Sequence, residues 1–584
     1  MNADSMARPD REAPSRVLRL LLLLAAIGLG GLRIWALRDL QGGDPTSYLD
    51  IADYYSRADW SRAINSFWSP LYSWLLALLL TVFRPAADWE YSLVACLNLV
   101  IYLASLACFL AFWKALDHLR RRSLDASLVG LGANSWLILG YDLFLWMSVL
   151  LIRPGIEAPD LLLATFIFLA AAALVRIHLG ASPPRNQCLL GVALGLGFLT
   201  KAVMFPLAFV FAAVASPATT MRQRLKSAAA VLAAFAALAG PWIAVISFQQ
   251  GRLTISDSPA LNYAWHVNRA PMFHWQGDDA EEGVPGHTSR RILNHPSAFD
   301  FPEPRSGTYP AFFDPPYWNQ GLRPRFDPAQ QWQAIVFNAR LYLLLLLSRA
   351  DLLLGALLLT VIGRRTGFAS RLRQYWFLMV PALAACGLFL LVHVERRYVA
   401  PYLVLLCGAC FSVVRLPDTP RARMLMPAVV IALAGATALT LLLRLPEDWH
   451  NLRERPERVQ WQLAQELEKQ GVRPGDGIAV VGVALWNSSA ARLARAQIIA
   501  EVPVRNLNEF WAADTTTRQR ILETLAASGA KAAILECTAA CLTPDPCTKL
   551  QNTSSFASPD RSILAVCPLA VQTLARRAQK PAKL

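Results

Sequence analysis

A chain of 584 residues that is 55% hydrophobic and only 17% charged cannot be an ordinary soluble enzyme with one buried core; it reads as a polytopic membrane protein. The formal net charge of +15 does not point to nucleic acid, because the basic residues stand at alternate ends of the apolar runs rather than in one patch. Short loops rich in Lys and Arg stay cytoplasmic, so the excess charge is topological.

Crossing about 30 Å of hydrocarbon takes roughly 20 apolar residues. Runs near that length fall at 17–37, 91–113, 126–151, 160–175, 227–247, 341–362, 376–394, 398–414 and 425–444. The first lacks a small-residue cleavage site, so no cleavable signal is expected there. A longer run, 188–216, is interrupted by Lys201. Arg176 and Arg185 before it and Arg222 to Lys226 after it both require the cytoplasm, so the chain crosses twice and Lys201 marks an external hairpin tip. This gives about eleven transmembrane helices with the N-terminus inside, and places 38–90, 151–160, 249–335 and 446–584 outside.

The first external segment opens with "QGGDPTSYLDIADYY", residues 41–55. Asp44 before Pro45 fits an N-cap with proline at the first helical position. Tyr48, Ile51, Ala52 and Tyr55 then recur at helical spacing, with Asp50 and Asp53 away from them. "WSPLYSWLLALLLTVF" follows, apolar but too short for a comfortable span, and suits a shallow or re-entrant helix. "LIRPGIEAPDLLLATF" sets Arg153, Glu157 and Asp160 at the outer end of a span. Segment 249–335 is dense in aromatics, proline and charge, which suits an ordered cap. "LLSRADLLL" puts Arg349 and Asp351 at another outer edge, and "LVHVERRYVAPYL" brings His393, Glu395, Arg396 and Arg397 between two spans. From 446 the pattern alternates helix and strand, as in "ERVQWQLAQELEKQ" and "GIAVVG", the mark of a small extracytoplasmic α/β domain. Its glycines precede the strand, the wrong side for a dinucleotide turn. Six cysteines lie in apolar runs as packing residues; Cys537, Cys541, Cys547 and Cys567 cluster in the tail, where one or two disulfides are expected.

Each charged group has a plain structural use as cap, interfacial anchor or snorkelling side chain. Several acids and cations at one membrane level instead mark function. Such a set suits group transfer from a lipid phosphate: cations hold the phosphate and stabilise the charge that develops, while a carboxylate takes the proton of the attacking hydroxyl or amine. A transporter needs charges near the bilayer midplane and often repeated halves. A glycan-binding or assembly protein of the envelope, acting through the aromatic cap and tail, is the other alternative.

"GGDPTSYLDIA", "FWSPLYSWLLALLL", "IEAPDLLLATFIFLA", "GLGFLTKAVMFPLA" and "VERRYVAPYLVLL", in that order over residues 15–415, resemble the GT-C glycosyltransferases, nearest the protein O-mannosyltransferase and lipid A aminoarabinose transferase superfamily. The resemblance implies a GT-C-like membrane domain over 1–445, with 446–584 as a second domain, in a bacterial cytoplasmic membrane. It implies a polyprenyl-phosphate sugar as donor, membrane lipid around it, and a glycan, lipid or protein as acceptor. The family's essential acid matches Asp44; the acid of the second external turn matches Asp160, with Glu157 as competitor. Lys201 and Arg397 match the cations, and Arg349, Arg153, Tyr48, Glu395 and His393 join them as candidates for substrate or lipid-phosphate contact. Pro45 stands where family members often carry a second acid, which leaves use of a divalent metal ion open.

Overall fold

The computed structural model describes residues 13–39, 42–122, 128–156, 158–181, 183–277, 280–362, 367–453, 459–538, 547–550 and 562–569. Glu157 and Cys541 lie outside the described residues.

Helix α1 (Arg16–Ala36) leads to α2 (Asp44–Ser56), the short apolar α3 (Leu71–Phe83) and α4 (Ala87–Arg122). With 36 residues α4 is about 54 Å long, more than a bilayer requires. Then come α5 (Ala133–Leu145), which runs on as a π-helical turn over Trp146–Leu151, and α6 (Ala158–His178). Next are α7 (Pro183–Thr200), α8 (Met204–Ala213) and α9 (Met221–Gln250). Lys201 sits in the break between α7 and α8, where the helix ladder is interrupted. After α10 (Ser258–His266), the bundle is completed by α11 (Pro328–Leu347), α12 (Ala350–Ile362), α13 (Trp376–Leu391), α14 (Arg396–Ser412) and α15 (Pro420–Arg453).

Among the described residues seven helices are long and apolar enough to cross a membrane, and α3 and α8 are apolar but shorter. The expectation of about eleven crossings exceeds that number. Leu21, Leu24, Val82, Leu442 and Leu443 are exposed on these helices, as are Leu343 and Leu344 on α11. A belt of that kind is stable against hydrocarbon and not against water. The chain is a multi-pass helical membrane protein that also carries a C-terminal α/β region.

That region holds a seven-stranded sheet. Its strands are β1 (Arg290–Asn294), β2 (Ser297–Asp300), β3 (Gly477–Gly482), β4 (Gln497–Pro503), β5 (Ala532–Thr538), β6 (Thr548–Leu550) and β7 (Ser562–Pro568), in the spatial order β1-β2-β4-β3-β5-β7-β6. Strand β3 is parallel to β4 and β5, while the outer pairings are antiparallel. Helix α16 (Ala484–Leu493) follows β3. Cys547 and Cys567 form a disulfide.

Two of the strands, β1 and β2, come from the aromatic segment 249–335, so that segment and the tail share one sheet. Burial fixes the junction: His274 and Tyr309 both hydrogen-bond the Glu501 carboxylate, at 2.6 and 2.7 Å, and all three are buried. The same segment covers α2, since the Thr308 backbone N–H and hydroxyl donate to Asp50 at 2.7 and 2.8 Å. Cap, tail and α2 thus make one polar head on the end of the bundle.

Candidate functional site

Two sequence expectations about α2 are corrected by its surroundings. Asp44 is not the N-cap: Gly43 is, with φ +61°, and Asp44 is the first helical residue with its side chain free of any capping hydrogen bond. The left-handed backbone at 43 is open to glycine and strained for other residues, which moves the cap one position upstream. Asp50 does not point away from the buried face. It is 5% exposed and bound by Arg492 and Thr308, because the cap and α16 cover the face of α2 that carries it.

The first turn of α2, the first turn of α6, the break between α7 and α8, and the cap and first turn of α14 bring Asp44, Asp160, Lys201, Glu395 and Arg397 together. Arg397 is the hub. Its Nε donates to Glu395 at 2.5 Å; its Nη1 lies 3.3 Å from Asp44 and 3.6 Å from Asp160; its Nη2 donates to the Tyr398 hydroxyl at 3.3 Å. Lys201 forms an ion pair with Asp160 and lies 4.1 Å above the centre of the Tyr398 ring. The planar guanidinium fork suits this spread of acceptors, which a lysine could not span.

The two aspartates differ in access. The Asp160 side chain is 3% exposed and that of Asp44 is 35% exposed, so only Asp44 can meet a substrate directly. Tyr48 is buried behind Asp44 between Trp68 and Tyr72, at ring distances of 5.0 and 5.3 Å. Burial pushes its hydroxyl well above the ordinary range, and the Asp44 and Asp160 carboxylates push in the same direction. The phenol therefore stays protonated.

A second layer reaches into the cap. His393 Nε2 lies 3.3 Å from Glu395, and its ring stacks on that of His266 at 3.9 Å. Burial pushes Glu395 up, but the hydrogen bond from His393 and the Arg397 charge outweigh it and bring the carboxyl to about 2. Burial lowers His266 to about 4, helped by His393.

Arg349 stands apart from this cluster. It donates to Asp142 at 3.3 Å and to Asp351 at 3.0 Å, packed against Trp146, and it is buried. Asp142 and Trp146 belong to α5 and its π-helical continuation, so Arg349, at the break between α11 and α12, packs against α5. It lines a cavity of about 460 Å³ with Arg396, Arg444, Thr437 and Thr440, walled by Leu150, Leu151, Leu341 and Leu345. Arg153, half-buried, occupies the turn before α6 with a left-handed backbone at φ +50°.

Sequence reasoning missed His266, Tyr398, Asp142 and Arg444. Asp142 carried a usable signal, an acid inside the apolar run "ILGYDLFLW". His266 had none, since its partner His393 lies far along the chain.

Among the described residues the site does not suit a divalent metal ion. Asp44 and Asp160 already share Arg397, Asp160 also holds Lys201, and among the described residues no group of three or more His, Cys, Asp or Glu is placed to hold one.

No protein-family model matches the chain, and no curated protein matches it in sequence. Among solved structures it is similar to ArnT from Cupriavidus metallidurans in the apo state, 14% identical over 94% of this chain and 98% of that one, with a TM-score of 0.49. It is likewise similar to ArnT from Cupriavidus metallidurans bound to undecaprenyl phosphate, 14% identical over 94% and 97%, with a TM-score of 0.49.

Proposed function

We propose that this protein is a GT-C-type glycosyltransferase that moves a sugar from a polyprenyl-phosphate donor to an acceptor at the outer face of the cytoplasmic membrane. One observation carries the reading: four segments far apart in sequence converge around Arg397, leaving two partly exposed carboxylates, Asp44 and Glu395, of which Glu395 is held at about 2 by His393 and Arg397 and is a poor base; Val394 and Arg396, on either side of Glu395, line the cavity.

Asp44 accepts the proton of the acceptor hydroxyl or amine as that group attacks the anomeric carbon. The bond from the anomeric carbon to the phosphate oxygen breaks, and the electron pair leaves with the polyprenyl phosphate. Asp160, sealed behind, orients Lys201 and Arg397. These two cations face three carboxylates, Asp44, Asp160 and Glu395, so the cluster has little positive charge to spare for a phosphate. Arg349 is likewise paired, with Asp142 and Asp351; Arg396 and Arg444 at the cavity are the cations placed to contact the phosphate, with the leucine walls taking the first isoprene units. Tyr48 and His393 support Asp44 and Glu395 from behind. The N-terminus is cytoplasmic, and 249–335 and 446–584 are outside. Alkaline phosphatase fused after residue 300 or after residue 584 is then active, and a fusion active only with a cytoplasmic reporter overturns the topology.

The activity itself is tested with purified protein in lipid nanodiscs and a panel of tritiated polyprenyl-phosphate sugars. Enzymatic release of polyprenyl phosphate with sugar appearing on an acceptor supports the reading; binding without release in every case contradicts it.

Transport is the second reading, favoured by the Asp142, Arg349 and Asp351 ion group within the bundle, where a transporter keeps its charges. Lipid-linked sugar crossing proteoliposome membranes without bond cleavage would establish it.

A further inference from the structure

The C-terminal region has no part in the chemistry above, yet it touches α2 along one stripe. The Gly43 N–H donates to the Leu485 carbonyl at 3.2 Å, the Ser488 hydroxyl lies 3.3 Å from that of Thr46, and Arg492 Nη1 donates to Asp50 at 2.6 Å. Positions 43, 46 and 50 on one helix and 485, 488 and 492 on the other advance together by three and then four residues. That is the spacing of one helical face on each, so α16 runs parallel to α2 and in register with it.

Arg492 is the anchor of this stripe. Its second nitrogen, Nη2, donates to Glu90 at 2.5 Å, so one guanidinium ties α2 to the first turn of α4. Arg492, Asp50 and Glu90 are 4%, 5% and 1% exposed, and Arg495 adds a second cation 3.6 Å from Glu90. The contact nearest the active carboxylate is the backbone bond to Gly43, the cap residue immediately before Asp44. A methyl group on neighbouring Gly42 would stand 2.8 Å from the Trp486 ring, so the approach here is close as well as polar.

We propose that the C-terminal domain is a holder for the catalytic helix, and that Arg492 is a positioning residue for Asp44 acting through Asp50 and the α16 stripe. This rests on the assignment of Asp44 given under the proposed function. It gives the tail a task in turnover beyond stability: it fixes the first turn of α2 against α4, and so sets the distance from Asp44 to the acceptor. Misplacement of a reacting group by about 1 Å is enough to cost about a hundredfold in rate.

The test compares Arg492→Met with the same variant carrying Thr46→Cys and Ser488→Cys, purified from the full chain. The expected result is a kcat ten- to a hundredfold below the parent for Arg492→Met, with donor KM within about twofold. Oxidation of the cysteine pair restores kcat to within about threefold of the parent, and dithiothreitol abolishes the rescue. A merely stabilising Arg492 would not give a rescue that switches with the crosslink. Arg492→Met leaves two buried carboxylates without their shared cation, so Arg492→Met/Asp50→Asn/Glu90→Gln is measured beside it. That variant removes all three charges together, folds, and keeps the kcat loss. Parental kcat in folded Arg492→Met or in the triple variant, or no rescue by a completed crosslink, overturns the proposal. Amide exchange over residues 43–47 reads α2 independently of sugar transfer. It rises in Arg492→Met and falls on crosslinking, and exchange that does not move overturns the holder even where transfer is lost. A parent that transfers no sugar from any donor, with exchange behaving as described, overturns the glycosyltransferase reading and leaves the mechanical link standing.

Discussion

His266 shows how one side chain reports on its neighbours. It stacks on His393, which in turn meets Glu395, the partner of Arg397. Burial holds His266 at about 4, below its ordinary 6.5. Between those values the unfolded chain binds a proton that the folded one refuses, so stability is full above about pH 6.5 and falls as pH drops towards 4. His266→Gln removes this contribution, and its thermal unfolding in detergent should lose less stability than the parent between pH 6.5 and 4.5; an unchanged pH slope would show that His266 is neutral in both states. At Asp44 the cap assignment makes a second prediction. Because Gly43 caps α2, Asp44→Asn and Asp44→Ala should melt alike. A gap of about 1 kcal/mol in favour of Asn would mean that the carboxylate caps the helix after all.

At the scale of elements, Gly43→Ala is the sharpest probe of α2. The backbone there, φ +61° and ψ −116°, lies where a side chain is strained, and an added Cβ also meets Leu485 at 3.5 Å. The expected cost is about 1–3 kcal/mol, read by denaturation in mild detergent, together with loss of turnover. Much of the bundle and the cluster around Arg397 was legible because charges at the ends of apolar runs are conspicuous: Asp44, Asp160, Lys201, Glu395 and Arg397 were all singled out that way. Arg492 was not. In "SSAARLARAQ" it looks like a solvated helix residue, and its partners Asp50 and Glu90 lie 442 and 402 residues away. Strands β1 and β2 were missed for the same reason. They are only 5 and 4 residues long, and β2 pairs with β4, whose residues begin at Gln497.

For the whole molecule, an apolar bundle carries a head built jointly from the first loop, the aromatic segment and the tail. A chain ending at residue 453 would lose β4, the partner of β2, together with Arg492, the partner of Asp50. It should leave the head open to protease between residues 249 and 335, where the full chain resists; equal resistance in both would show that the cap folds without the tail. The central proposal is that Asp44 drives sugar transfer from a polyprenyl phosphate, and the most direct measurement is single-turnover transfer by the purified parent and by Asp44→Asn in the same nanodiscs. The parent should transfer sugar, and Asp44→Asn should be slower by about a hundredfold or more at unchanged donor affinity and melting temperature. Transfer by Asp44→Asn at the parental rate would contradict it.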